Sequence, residues 1–230
     1  MAGRLILLRH GQTHSNVAHK LDTRPPGAEL TELGRRQARD VGAELAEYCG
    51  AGGGSAGRLT MVGCSIALRA QQTALLAMRS FEQTAALPEE STRISVLPDI
   101  HEIFAGDHEL LGDEESHSIY TTGLRGWLSR DETACLPGGE TLPDLLGRYQ
   151  PVLENLVLEH FGEDGDGDGD VLVVSHGAAI RTIATHAADV DPDFAFAGYL
   201  GNCRYIVLEP GGRPFGKWDL LRWADLDHQI

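Results

Sequence analysis

Leu5-Ile6-Leu7-Leu8-Arg9-His10-Gly11 is the stretch that decides the fold, because it joins an uninterrupted apolar run to a basic pair and a glycine. A short apolar run without polar alternation is typical of a parallel strand that is buried on both faces. In open α/β sheets, ligands bind at the carboxyl ends of such strands. The sequence therefore predicts that Arg9 and His10 lie at a ligand site, where a guanidinium fits phosphate and a neutral imidazole can act as a nucleophile.

A second segment, far along the chain, repeats this layout. The apolar run at 171–174 is followed by Ser175, His176 and Gly177, and then by a helical pattern. An Arg-His pair on its own is more often part of a solvated loop than of a site. Two apolar strands that each end in His-Gly make a shared site the better interpretation.

Strands and helices alternate along the chain. The pattern predicts a three-layer α/β/α sandwich with a mainly parallel sheet and an antiparallel edge. We expect a single domain over residues 1–230, since no stretch has the composition of a linker. The predicted strands lie at 5–8, 59–64, 93–97, 171–175, 202–209 and 217–223, and the predicted helices at 31–48, 69–86, 116–130, 141–161 and 178–188.

Charge and cysteine content restrict the classes of partner. The net charge of −15 argues against binding to nucleic acid or to an anionic membrane. Residues 1–80 hold 10 Lys and Arg against 6 Asp and Glu, so an anion would be attracted mainly by this part. The scattered cysteines, the short apolar N-terminal run and the lack of a 20-residue apolar stretch predict a cytoplasmic protein. The cysteines are Cys49, Cys64, Cys135 and Cys203.

Two further segments carry groups suited to phosphate chemistry. Arg69 falls near the start of a predicted helix, where anions are favoured, and it adds a bidentate donor. Glu102, which is followed by Ile103, could protonate a leaving group. Asp99 and Glu109 are the alternatives for that role. Each group alone is more often a surface side chain, and their significance comes from their shared position after successive strands.

Taken together, these segments resemble the histidine phosphatase superfamily of phosphoglycerate-mutase-like enzymes. The resemblance covers nearly the whole chain and rests on six motifs in the same order. These are Arg9-His10-Gly11 with Thr13 and Asn16, Leu30-Thr31-Glu32-Leu33-Gly34 with Gln37-Ala38, Leu68-Arg69-Ala70 with Gln72-Thr73-Ala74, Glu102-Ile103 with Gly106 and Glu109, Pro137-Gly138-Gly139-Glu140-Thr141, and Ser175-His176-Gly177.

The resemblance implies a site and a mechanism. It implies that His10 attacks phosphorus to form a phosphohistidine, and that Glu102 protonates the leaving oxygen and later activates water. Two guanidiniums beside a histidine would also keep it neutral, which its role as a nucleophile requires. No metal and no cofactor are implied, because cationic side chains supply the positive potential. The implied phosphate- and substrate-binding groups are Arg9, Thr13, Asn16, Arg69, His176 and the backbone N–H of Gly177.

Three functions fit these motifs, and the sequence favours hydrolysis of phosphomonoesters. Phosphoglycerate mutases of this family usually carry a Trp-rich stretch after the first motif and a basic insertion after the acid loop. Here residues 17–30 lack Trp, and residues 103–124 contain no Lys or Arg. Only Lys20, Arg24 and Arg125 could help to hold a bisphosphate. The alternatives are such a mutase and a phosphate-binding protein without turnover. The partner is a small phosphorylated substrate of unspecified structure, and a homo-oligomer is left open.

Overall fold

The computed structural model of the chain describes residues 2–162, 164–165 and 167–225. Within these residues, six strands form one sheet in the order β3-β2-β4-β1-β5-β6. The pairs β1–β4, β2–β4 and β2–β3 are parallel, whereas β1–β5 and β5–β6 are antiparallel. The predicted parallel sheet with an antiparallel edge is confirmed. The strands are β1 (Arg4–Arg9), β2 (Leu59–Ser65), β3 (Ile94–Leu97), β4 (Asp170–Ser175), β5 (Tyr205–Glu209) and β6 (Asp219–Trp223).

Helices cover both faces of this sheet, so the predicted three layers are also confirmed. Helices α2 and α3 pack on the face to which Ile6 and Leu8 point. Helices α4 to α7 pack on the face to which Leu5 and Leu7 point. All four of these side chains are fully buried, which explains why β1 has no polar alternation. The helices are α1 (His14–Val17), α2 (Glu32–Tyr48), α3 (Leu68–Ala85), α4 (Glu114–Leu128), α5 (Leu142–Phe161), α6 (Gly177–Ala187) and α7 (Pro192–Ala197).

The register of β1 against β4 sets the geometry of the site. Leu5 pairs with Val171 and Arg9 pairs with Ser175, without a bulge between them. In parallel strands the residues after paired ends emerge side by side, at the same edge of the sheet. His10 and His176 therefore become neighbours, although they lie far apart in the sequence.

The amino end of the same strand pair is held by a buried carboxylate. Asp170 is fully buried and accepts two hydrogen bonds from Arg4, at 2.7 Å from Nε and 2.5 Å from Nη2. Arg58, just before β2, donates a third, at 3.3 Å from Nε. Asp170 and the two arginines together stabilise the end of the sheet opposite to the predicted site.

The differences from the predicted elements are local. The one-turn helix α1 and the short α7 were not predicted, since one or two turns give too few residues for an apolar period. Helix α4 begins two residues early, because the Asp113 carboxylate caps it by accepting from Ser116 N–H at 2.9 Å. A single domain over 1–230 stays a prediction, and residues 1, 163, 166 and 226–230 of that range lie outside the described residues. In the part of the chain that is described, no helix is long and apolar enough to cross a membrane.

Candidate active site

A cavity of about 420 Å³ opens where β1, β2 and β4 end. Six of the predicted site residues line it, and Tyr120, Tyr199 and Asn202 lie around its mouth. Gln12, the segment 19–23 and the face of α4 that carries His117 and Tyr120 form the rest of the wall. The six predicted residues are Arg9, His10, Thr13, Asn16, Arg69 and Glu102.

His10 has the properties that a nucleophilic imidazole needs. Its Nδ1 lies 2.8 Å from the carbonyl oxygen of Gly11. A carbonyl only accepts, so Nδ1 carries the proton and the lone pair of the neutral ring is on Nε2. Burial, then Arg69, then Arg9 hold the pKa of His10 well below its usual value. The ring is therefore neutral at physiological pH, as the sequence predicts.

His176 lies behind His10 rather than on the cavity wall. The two rings meet edge to face, with centroids 5.2 Å apart, and His176 is fully buried. Its Nδ1 accepts a hydrogen bond from Nε of Arg69 at 3.2 Å, so its other nitrogen, Nε2, donates to Oγ of Ser65 at 2.9 Å. Burial, then Arg69, then His10 hold the pKa of His176 well below its usual value. Both ring nitrogens are thus engaged within the protein, and His176 orients Arg69.

Arg69 presents a buried cation that is only partly paired. The side chain is 2% exposed, and its Nη1 makes no hydrogen bond to any described residue. The nearest carboxylate oxygen, Oδ1 of Asp22, is 3.8 Å away, while Oδ2 is held by Ser15 Oγ and by the N–H of Ala28, each at 2.7 Å. Gly27 leaves the space into which the guanidinium fits, because a Cβ there would lie 2.0 Å from Nη1. A buried donor without an acceptor is suited to bind an anionic ligand oxygen.

Arg9 reaches the cavity from the end of β1. Its Nη1 donates to the Tyr199 hydroxyl at 2.9 Å and to the carbonyl of Leu200 at 2.6 Å. Its Nε has no partner among the described residues, and it lies close to Gly177, where an added Cβ would be 3.1 Å away. Arg9 and Arg69 therefore each keep a buried N–H group without an acceptor at the same site.

Thr13 and Asn16 form the capping box of α1. Thr13 Oγ1 accepts from the N–H of Asn16, and Asn16 Oδ1 accepts from the N–H of Thr13, both at 3.1 Å. Asn202 donates to the same Oδ1 at 3.3 Å and to the carbonyl of His10 at 3.0 Å. With its oxygen committed as an acceptor, Asn16 has its amide nitrogen left to donate to a ligand.

The three carboxylates predicted as proton donors have separate surroundings. Glu102 lines the cavity and accepts from three backbone N–H groups: those of Ile103, Ala178 and Ala179, at 2.9, 3.1 and 2.8 Å. Glu109 does not line the cavity; it accepts from Thr23 and from the N–H of Arg24. Asp99 is not among the lining residues either. Only Glu102 therefore faces the cavity, and it also caps the start of α6.

Backbone packing brings the first three motifs together. The N–H of Gly11 donates to Thr73 Oγ1 at 3.0 Å, which ties the end of β1 to α3. A Cβ on Gly11 would lie 2.6 Å from the carbonyl oxygen of Gly34, so the first turn of α2 can approach only a glycine. The first three motifs thus meet at one point beneath His10.

Several residues at the site were missed by sequence reasoning. No local signal marks Ser65, Asp22, Tyr120, Tyr199 or Asn202, because each reaches the site through a tertiary contact. Burial and the nearby Glu102 raise the pKa of Tyr120 well above its usual value, so its hydroxyl stays protonated. Within the described residues, no group of three or more His, Cys, Asp or Glu side chains is arranged to hold a metal ion.

Comparison with known proteins agrees with this geometry. A family model described as the histidine phosphatase superfamily (branch 1) matches residues 5–226. The chain is similar to a metal-independent phosphoserine phosphatase from Arabidopsis thaliana, at 27% identity over 97% of this chain and 82% of the relative. It is also similar to a 2,3-bisphosphoglycerate-dependent phosphoglycerate mutase from Gloeothece citriformis, at 26% identity over 83% of this chain and 86% of the relative.

The fold has close counterparts among solved structures. The native structure of a mycobacterial glucosyl-3-phosphoglycerate phosphatase superposes with a TM-score of 0.72. The superposition covers 97% of this chain and 99% of that one, at 24% identity. The two chains therefore share one fold over nearly their whole lengths.

Proposed function

This chain belongs to the histidine phosphatase superfamily (branch 1), and from that premise we propose that it hydrolyses small phosphomonoesters through a phosphohistidine formed on Nε2 of His10. The observation that carries the proposal is the hydrogen bond from His10 Nδ1 to the carbonyl of Gly11. It leaves the Nε2 lone pair available, beside two arginines that each hold a buried N–H group without an acceptor among the described residues. A nucleophile and the donors for the phosphoryl oxygens are thus present together.

In the first step, the Nε2 lone pair of His10 attacks phosphorus and the bond from phosphorus to the ester oxygen breaks. The electron pair of that bond goes to the leaving oxygen, which takes a proton from the carboxyl group of Glu102. Arg9 and Arg69 stabilise the charge on the transferring phosphoryl group, and the amide nitrogen of Asn16 and the backbone N–H of Gly177 contribute hydrogen bonds. Thr13 positions Asn16, and His176 orients Arg69.

In the second step, water attacks the phosphohistidine on the opposite side from His10. The carboxylate of Glu102 takes the water proton, the bond between phosphorus and Nε2 breaks, and its electron pair returns to the ring. Inorganic phosphate leaves and Glu102 is again protonated. Because the arginines supply the positive potential at phosphorus, neither step needs a metal ion or an organic cofactor.

Trapping the intermediate tests the nucleophile. The wild-type protein, incubated with a 32P-labelled phosphomonoester and quenched in base, should carry acid-labile label, and His10→Asn should carry none. Turnover of p-nitrophenyl phosphate should survive EDTA. Undiminished turnover by a folded His10→Asn variant would refute the assignment of His10, and a loss in EDTA that Mg²⁺ restores would refute the metal-free scheme.

The surroundings of the cavity favour hydrolysis over mutase activity. Of the three basic residues that might hold a second phosphate, only Lys20 lines the cavity. The Arg24 guanidinium lies over the ring of Phe104, 4.9 Å from its centroid, and Arg125 pairs with Asp193 at 3.1 Å. A bisphosphate intermediate calls for more cationic groups than this. We expect phosphate release from 3-phosphoglycerate without its conversion to 2-phosphoglycerate when 2,3-bisphosphoglycerate is added, and an NMR assay of both products measures the partition.

A binding protein without turnover is the remaining alternative. The full set of nucleophile, phosphate donors and cavity-lining carboxyl group favours an enzyme, and a complete lack of activity over a panel of phosphomonoesters would favour the binder.

We further propose a cytoplasmic location, which is supported by four free cysteines, one of them exposed. Cell fractionation tests this location directly.

A further inference from the structure

Glu140 and Arg148 form a bidentate ion pair beside the segment that carries Glu102. Nε and Nη2 of Arg148 donate to the two carboxylate oxygens of Glu140, at 2.7 and 3.0 Å. The side chains are only 12% and 14% exposed. Glu140 precedes α5 and Arg148 lies in its second turn, so the pair is anchored by a helix whose Leu145 and Tyr149 are fully buried.

The ion pair holds the backbone on both sides of Glu102. Nη1 of Arg148 donates to the carbonyls of Asp99 and His101, at 2.8 and 2.9 Å, and Nη2 donates to the carbonyl of Glu102 at 3.2 Å. The Glu140 carboxylate accepts from the N–H of Phe104 at 2.8 Å. Four backbone groups within six residues are thus bound by one pair of side chains.

Apart from the ion pair, this segment is held by side chains and not by regular secondary structure. Thr23 Oγ1 accepts from the N–H of Ala105 at 3.0 Å, Ser175 Oγ donates to the carbonyl of Ile100 at 2.7 Å, and the Ile103 side chain is fully buried. Residues 101–105 belong to neither a helix nor a strand, so no regular ladder satisfies their backbone groups. The Glu102 side chain must nevertheless stand where it meets both the start of α6 and the cavity. A displacement of about 1 Å in a reacting group can cost ~100-fold in rate. An arginine fork fixed by a carboxylate restricts the backbone more strongly than a single flexible donor does.

We propose that the Glu140–Arg148 ion pair is a positioning device that holds the Glu102 carboxyl group at the leaving oxygen. The inference rests on the proposed function, in which Glu102 protonates that oxygen. Glu140 and Arg148 do not line the cavity, and they act on catalysis only through the backbone of residues 99–104.

The dependence of the rate on the leaving group tests this role. A proton donor matters for a poor leaving group such as an alkoxide, and it matters little for 2,4-dinitrophenolate, which departs without a proton. Arg148→Lys keeps the charge and loses the fork. We expect it to lower kcat/KM for glycerol phosphate by about 10- to 100-fold, since general acid catalysis contributes ~10²–10⁴-fold. For 2,4-dinitrophenyl phosphate, kcat/KM should stay within about threefold of wild type. Glu140→Gln, which keeps an acceptor for Phe104, should give a weaker form of the same split.

Two comparisons separate positioning from a general loss of stability. Arg213→Lys is the matched control, because Arg213 also binds a carboxylate, that of Asp219, and two backbone carbonyls, those of Glu209 and Pro210, but at the β5–β6 turn. Arg213→Lys should leave kcat/KM unchanged for both glycerol phosphate and 2,4-dinitrophenyl phosphate. Arg148→Lys should also add no further loss for glycerol phosphate when Glu102 is already Gln.

Each outcome has a distinct meaning. An equal loss for both substrates in Arg148→Lys and Glu140→Gln would overturn the inference, since it would indicate a structural role. If Glu102→Gln shows the split and neither positioning variant does, the inference fails and the role of Glu102 stands. If Glu102→Gln itself shows no split, the proposed role of Glu102 fails and the inference fails with it. Should Arg148→Lys not fold, Glu140→Gln alone decides the question.

Discussion

Gly27→Ala is expected to impair catalysis through Arg69 while leaving the fold intact. An added Cβ at residue 27 would lie 2.0 Å from Nη1 of Arg69, and ordinary contacts between nonbonded atoms are ~3.5 Å. The backbone is held on both sides of Gly27, because the Pro26 carbonyl accepts from the N–H of Leu68 at 2.8 Å and the N–H of Ala28 donates to Asp22 at 2.7 Å. The tip of the arginine must therefore move by roughly 1.5 Å, which exceeds the displacement of about 1 Å that can cost ~100-fold. Removing one donor from an oxyanion site costs ~10²–10³ in kcat. We therefore expect kcat/KM to fall by about 100-fold.

The same substitution also carries a cost in stability, and a control isolates that cost. Gly27 has a φ of +67°, and an alanine in this left-handed region costs about 1–2 kcal/mol. Gly53 has a φ of +59°, with no atom within 4 Å of an added Cβ, so Gly53→Ala brings the same strain without the contact.

Urea unfolding and steady-state kinetics with p-nitrophenyl phosphate measure the two effects separately. Gly27→Ala should lose at least as much free energy of unfolding as Gly53→Ala, because it adds the contact with Arg69 to the same backbone strain. Only Gly27→Ala should lose activity and weaken inhibition by inorganic phosphate. If Gly27→Ala and Gly53→Ala retain the same kcat/KM, the assignment of Arg69 Nη1 to phosphate binding is wrong.

Three further results are expected. Burial and the arginines lower the folded-state pKa of His10 and His176 below the unfolded value of about 6.5. Their contribution to the free energy of unfolding is therefore present above pH 6.5 and is lost as pH falls below it, because the unfolded chain then binds protons that the folded chain does not. His10→Asn should reduce the difference between the free energies of unfolding measured in urea at pH 7.5 and pH 5.5, and an unchanged difference would contradict this. Asp170→Asn should destabilise the fold by about 1.5–3 kcal/mol in the same assay, because Arg4 and Arg58 lose their shared carboxylate, while kcat stays within twofold because the site lies at the other end of the sheet. Asn202→Ala should lower kcat/KM by roughly tenfold, since it releases the His10 carbonyl and Asn16; a wild-type value would show that Asn16 holds its position alone.

The central part of the site is predictable because its signals are local. The apolar run before Arg9 and the one before His176 each identify a buried strand, and parallel strands bring their carboxyl ends together. Arg69 follows the same rule at the end of β2. These predictions depend only on the period of the pattern and on the order of the elements.

The acid could be predicted only through the family resemblance, which implies Glu102. The local sequence leaves Asp99 and Glu109 as alternatives, because the surroundings of the three carboxylates differ only after folding. Glu109 accepts hydrogen bonds from Thr23 and Arg24, which come from a loop some 85 residues earlier in the chain. Whether a carboxylate faces the cavity or is bound elsewhere depends on which N–H groups the fold brings to it. These groups come from segments that are distant in the sequence.

The residues at the mouth of the cavity could not be predicted for a related reason. Tyr199 and Asn202 lie between α7 and β5, in a segment without a motif, and they contact Arg9 and His10 from about 190 residues away. Tyr199 binds the guanidinium of Arg9 and Asn202 binds the backbone carbonyl of His10, and any Tyr or Asn could form these hydrogen bonds. Nothing in the local sequence distinguishes them from surface residues.

The place of β1 in the sheet has a consequence for how the protein is made. The strand is synthesised before the other five strands of the sheet, yet both of its neighbours, β4 and β5, come from residues 170–209. At ~5–20 residues per second, a ribosome needs roughly 10–40 s to supply them, and during that time the apolar strand β1 has neither of its neighbours. The histidine pair cannot assemble on a nascent or truncated chain. Activity therefore requires that synthesis has passed β5, and newly made chains should depend on protection from aggregation until that point.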